Sequence, residues 1–120
     1  MARMKVLIGI PCNWTVVPVQ FVESLANLRQ PPLCEVRFSR EPMLDIMRNS
    51  LAKQAVDGGF SHLFMLDVDM LYPPDSLMRL LRDDVDVVCG LACRRTPPHV
   101  PVCLQPTAER FVFEVQMPEE

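Results

Sequence analysis

The apolar positions of this chain change period several times, and each change predicts an element. Val6-Leu7-Ile8-Gly9-Ile10 is a short unbroken apolar run, which predicts a central strand closed by Pro11-Cys12-Asn13. From about Val17 to Arg29 the spacing becomes helical, with Phe21, Leu25 and Leu28 on one face and Pro18 suited to a first turn. Gln30-Pro31-Pro32 stops that helix. Cys34 to Ser39 alternates and predicts a strand with one wetter face, nearer a sheet edge. A second helix is expected from Pro42 to about Val56, with Met43, Met47, Leu51 and Ala55 as its buried stripe and Gly58-Gly59 as its stop. His62 to Leu66 then reads as a strand buried on both faces. Pro73-Pro74-Asp75 opens a third helix carrying Leu77, Met78, Leu80 and Leu81, and Val85 to Leu91 predicts a fourth strand. Thr96-Pro97-Pro98-His99 is a loop by composition, and Val100 to Leu104 and Arg110 to Val115 are short strand-like runs before a polar tail.

Strand and helix alternate three times and end on a strand. Short connections then imply an α/β fold: a three-layer, mostly parallel sheet with flanking helices and right-handed crossovers. Ligands of such sheets sit beyond the carboxyl ends of the strands. Pro11-Cys12-Asn13, Ser39-Arg40-Glu41 and Asp67-Val68-Asp69 would share that rim.

Composition narrows the picture. At 120 residues the expectation is one domain, without internal repeat or low-complexity tract. An apolar share of 49% argues against wholesale disorder, and a net charge of -3 without basic runs argues against a nucleic-acid partner. Met1 to Lys5 is basic, but the apolar run that follows is too short for a signal peptide and is interrupted by Pro11. No stretch reaches the roughly 20 apolar residues of a membrane span. Five scattered cysteines fit reduced thiols better than a disulfide framework, which points to a cytoplasmic location.

The chemistry concentrates after the third strand. Alternate residues on a strand share a side, so Asp67 and Asp69 would project together while Val68 faces the other way. Paired carboxylates repel unless a cation, a sugar hydroxyl or water satisfies them. One functional reading has one carboxylate on a divalent cation that bridges a diphosphate, Mg²⁺ or Mn²⁺ by ligand type, and the other on a ribose hydroxyl. A second makes one aspartate a phosphoryl-accepting nucleophile and its neighbour an acid/base. The plain reading is two solvated aspartates at a strand end. Arg48 suits a base edge or a phosphate, yet it lies three residues after Asp45 and could form a simple surface ion pair. Cys89, Cys93, His99 and Cys103 spell C-x3-C-x5-H-x3-C, a set tetrahedral zinc accepts, although the spacings match no familiar knuckle. Cys89 is also expected inside a buried strand.

In order, Met43-Leu44-Asp45-Ile46-Met47-Arg48-Asn49, Ser61 through Met70, Tyr72-Pro73-Pro74-Asp75-Ser76-Leu77, Asp86 through Leu91 and Arg94-Arg95 are similar to the GT-A glycosyltransferases of the family 2 type. Ile8-Gly9-Ile10-Pro11-Cys12-Asn13 resembles that family's usual opening, and the likeness covers about residues 5–105. The resemblance implies the Rossmann-like nucleotide-binding half of a GT-A fold and a UDP- or GDP-linked sugar as ligand. It also implies Asp69 as ligand of Mn²⁺ or Mg²⁺, Asp67 as ribose contact, and Pro11, Asn13 and Arg48 in the nucleoside pocket. Complete members continue beyond the fourth strand with an acceptor site and an acidic general base. Glu109 and Glu114 sit in no such motif, so the expectation is a donor-binding domain, truncated relative to the family.

Two alternatives stand beside it. Haloacid-dehalogenase-type phosphotransferases also place D-x-D after an apolar strand, but there the triplet closes the first strand and runs into Gly-Thr, not Met70-Leu71. The other is a nucleotide-binding or assembly module without turnover. An exposed strand edge or apolar patch could pair such a chain with another copy as a homo-oligomer.

Overall fold

The computed structural model describes residues 3–90, together with the backbone of residues 105–106 and 111–112. The chain divides into two compact units, Met1–Asp84 and Val85–Glu120.

In the first unit, β1 (Val6–Pro11) is the central strand and is buried along its whole length. It pairs in parallel with β2 (Cys34–Ser39) and with β3 (His62–Met65), giving the order β2-β1-β3. The chain leaves β1 through α1 (Val19–Asn27) to β2, then crosses back through α2 (Leu44–Asp57) to β3 on the other side. A short α3 (Ser76–Arg82) follows. The expected alternation and parallel pairing are therefore present.

The two faces of β1 explain the layers. Val6, Ile8 and Ile10 join Phe21 and Leu28 of the α1 segment, Leu66, Val68, and Leu77 of α3 in one apolar cluster. The opposite face presents Leu7 and Gly9 to α2, whose Met47, Leu51 and Ala55 are buried as a stripe. Gly9 permits a close approach there, because a Cβ would lie 3.0 Å from Leu51 Cδ1 and 3.2 Å from Leu63 Cδ1. Gly59, at φ 70, turns the chain after α2 as the Gly-Gly pair predicts.

Four expectations need correction. Met43 is not part of the α2 stripe; it is the extended N-cap residue (φ -122, ψ 149), 59% exposed, so the helical phase starts after it. β3 is half-buried rather than buried on both faces, because no described strand pairs with its outer side. Val85–Gly90 forms no strand: these residues join no described ladder, and Val87 is 90% exposed. An apolar run makes a strand only where a neighbouring backbone completes its hydrogen bonds. Cys89 is accordingly an exposed free thiol and not a core residue.

In the second unit, β4 (Gln105–Pro106) pairs antiparallel with β5 (Phe111–Val112). β5 falls within the run expected from Arg110 to Val115. The run Val100 to Leu104, the loop at Thr96, Arg94 and Arg95, Glu109 and Glu114, and Cys93, His99 and Cys103 lie outside the described residues. No helix among the described residues is long and apolar enough to cross a membrane.

Candidate functional site

Strand order reverses at β1, and the crevice between β1 and β3 at their carboxyl ends is where an α/β sheet accommodates ligands. An open cleft of about 270 Å³ lies there. Its walls come from three segments distant in sequence: the end of β1 and its loop (Pro11 to Trp14), the first turns of α2 (Leu44, Met47 and Arg48), and Asp67 to Asp69. All five residues expected at the site, Pro11, Asn13, Arg48, Asp67 and Asp69, line this cleft.

The aspartate segment is set by the strand before it. Leu66 still donates its N–H to the Gly9 carbonyl at 3.0 Å, so the ladder runs to the residue before Asp67. Leu66 and Val68 turn into the apolar cluster, at 1% and 6% exposure. Asp67 is half-buried and Asp69 exposed on either side of the buried Val68; β3 has ended at Met65, and Val68 and Asp69 lie in a turn rather than continuing the strand.

Tyr72 fixes this segment. Its hydroxyl accepts the Asp67 N–H at 2.9 Å and donates to the Asp67 carbonyl at 3.1 Å. Its ring packs edge-on against Phe21, with centroids 6.5 Å apart, and its own N–H donates to Ser24 Oγ at 3.4 Å. Burial raises the Tyr72 pKa above its ordinary value; the hydrogen bond to the Asp67 backbone lowers it, and the charges of Asp67 and Asp69 raise it further.

Arg48 reaches across the cleft to Asp67, with Nη2 3.6 Å from Oδ1, so its carboxylate partner is not Asp45. Both side chains are nearly half exposed, which makes the pair worth about 0–1 kcal/mol in stability. Asn13 has a more structural place than expected. Its Nδ2 donates to the Pro42 carbonyl at 3.3 Å and ties the β1 loop to the approach to α2.

Mg²⁺ and Mn²⁺ are commonly held by one or two carboxylates and completed by phosphate oxygens and water; Asp67 and Asp69 are oxygen donors of that type on the cleft wall, and Asp67 is paired with Arg48. Among the described residues no three His, Cys, Asp or Glu side chains gather as a closed metal cage.

Sequence reasoning missed Tyr72 and Trp14 as contributors. Tyr72 is the chain's single tyrosine and lies five residues beyond Asp67; Trp14 is its single tryptophan, follows Asn13, and stands 53% exposed on the cleft wall. A lone residue of its type close to a strand-end loop was the available signal in each case. No protein-family model matches the chain, and no curated protein or solved structure matches it either.

Proposed function

We propose that this chain binds a nucleoside-diphosphate sugar, as the donor-binding domain of a GT-A-type glycosyltransferase. The observation that carries the reading is the meeting of the β1 loop, Arg48 and the Asp67/Asp69 pair around one cleft at the sheet's switch point. In this reading Asp69 holds Mg²⁺ or Mn²⁺ and Asp67 accepts from a ribose hydroxyl. The bound cation supplies neutralisation of charge on the departing nucleoside diphosphate. Arg48 sits beside Asp67, where its guanidinium suits a phosphate or a base edge. The exposed face of Trp14 is a stacking surface for the base.

A specific observation favours a second reading, a nucleotide-binding module without turnover. Asp67 and Asp69 are the carboxylates lining the cleft, and both are occupied with the donor in this scheme. Among the described lining residues none remains to deprotonate an acceptor.

Calorimetric titration of UDP and GDP, with and without Mn²⁺, tests both, with Trp14 fluorescence as a second signal. Metal-dependent binding that disappears in Asp69→Ala is the expected result. Unchanged affinity in that variant would overturn the metal assignment. Failure of both nucleotides to bind the native chain with Mn²⁺ present would remove the donor reading altogether.

A further inference from the structure

We propose that the outer edge of β2 is the interface of a two-fold symmetric dimer, in which β2 of a second copy of this chain pairs with it antiparallel. The inference is independent of what occupies the cleft. Among the described residues β2 has a partner, β1, on one side only.

Backbone geometry says which residues offer that edge. The Val6 N–H donates to the Leu33 carbonyl and the Cys12 N–H to the Ser39 carbonyl, in a register that pairs Val6 with Cys34 and Pro11 with Ser39. In a parallel ladder this commits the backbone groups of Glu35, Arg37 and Ser39 to β1. Cys34, Val36 and Phe38 therefore aim their N–H and C=O groups outward. Val36 and Phe38 are also 38% and 48% exposed, unusual for large apolar residues on a strand.

The side chains select one register. With the two-fold axis at Val36, Val36 faces the second copy's Val36, and Cys34 faces its Phe38, on one side of the combined sheet. On the other side Glu35 faces its Arg37, and Arg37 its Glu35. Within one copy Arg37 Nη2 and Glu35 Oε2 already lie 2.8 Å apart, so the four charges would alternate in sign. Moving the axis by one residue in either direction sets Glu35 against Glu35 or Arg37 against Arg37. Like charges directly opposite are destabilising, so of these three registers only the Val36-centred one has matched partners on both faces. A two-fold pairing of this kind closes and leaves no β2 edge to propagate.

Sedimentation of the full chain across a hundredfold range of concentration is the test. A monomer–dimer equilibrium is expected in the native protein. Val36→Pro removes an outward N–H while leaving the β1–β2 ladder intact, and is expected to leave only monomer. Glu35→Arg or Arg37→Glu alone should weaken the dimer roughly tenfold or more, and the double reversal should restore it to within about threefold. Circular dichroism checks folding, and the charge variants decide the matter if Val36→Pro does not fold. A monomeric mass at every concentration would overturn the proposal, as would a dimer indifferent to Val36→Pro or a double reversal that fails to rescue.

Discussion

Two hydroxyls do the same local job at opposite ends of the sheet, with different consequences. At the amino end, Ser61 Oγ accepts the Lys5 N–H at 2.9 Å and donates to the Lys5 carbonyl at 3.0 Å. At the carboxyl end, the Tyr72 hydroxyl brackets the N–H and carbonyl of Asp67 in the same way, at 2.9 and 3.1 Å. The amino end is otherwise turned inward on itself. Lys5 Nζ donates to the Gly58 carbonyl at 3.1 Å and lies 4.3 Å from the centre of the Phe60 ring, so its charge is committed to local packing. At the carboxyl end the bracket satisfies the Asp67 backbone from the side of the core, and the carboxylate is left to face Arg48 across the cleft. One bracket closes an end of the sheet. The other holds the Asp67 backbone at the wall of the cleft.

Tyr72→Phe tests that contrast most strongly. It keeps the ring against Phe21 but leaves two backbone groups of Asp67 without their partner, at a cost of about 1–2 kcal/mol in urea unfolding. Amide exchange at Asp67 should accelerate while that at Leu66, bonded to Gly9, stays slow. Equal protection in both proteins would mean the bracket is incidental. A pH profile sharpens the point. Because burial raises the Tyr72 pKa, the unfolded chain loses this proton first; the stabilisation is complete below about pH 10 and fades as pH rises through the folded value. Native protein should therefore lose stability above that pH more steeply than Tyr72→Phe. Absorbance titration reads the ionisation directly, since the chain has one tyrosine.

Ser61→Ala makes the matching change at the amino end, where the bonds are exposed to water. The expected loss is about 0.5 kcal/mol, with no change in nucleotide titrations. A loss as large as that of Tyr72→Phe would erase the distinction between the ends.

Arg48→Met has the smallest expected effect on stability, within about 0.5 kcal/mol, because its ion pair is half exposed. Its effect should appear instead as weaker nucleotide binding. A marked fall in the unfolding midpoint with binding intact would make Arg48 a structural residue.

The fold was most legible where local pattern and burial coincide. The run Val6 to Ile10 sufficed to predict the central strand, and the spacing of Met47, Leu51 and Ala55 identified the buried face of α2. Legibility failed where a partner was needed. Val85 to Gly90 is at least as apolar as Cys34 to Ser39, but among the described residues only the latter has a neighbouring strand. Arg48 shows the same limit at the site. By sequence Asp45 is its nearest carboxylate; the crossover from β2 to β3 brings Asp67 to 3.6 Å instead.

By itself, then, the sequence determined the alternation of strands and helices and the rim on which the aspartates emerge. Those features depend on neighbours a few residues apart, whose geometry the backbone periods of 3.6 and 2 dictate. Tertiary structure alone decided that Arg48 meets Asp67, that Asn13 ties its loop to Pro42, and that Tyr72 brackets the aspartate backbone. It also decided that, among the described residues, β2 has a strand partner on one side only. Each of these depends on which strands lie side by side, and no local period encodes that choice.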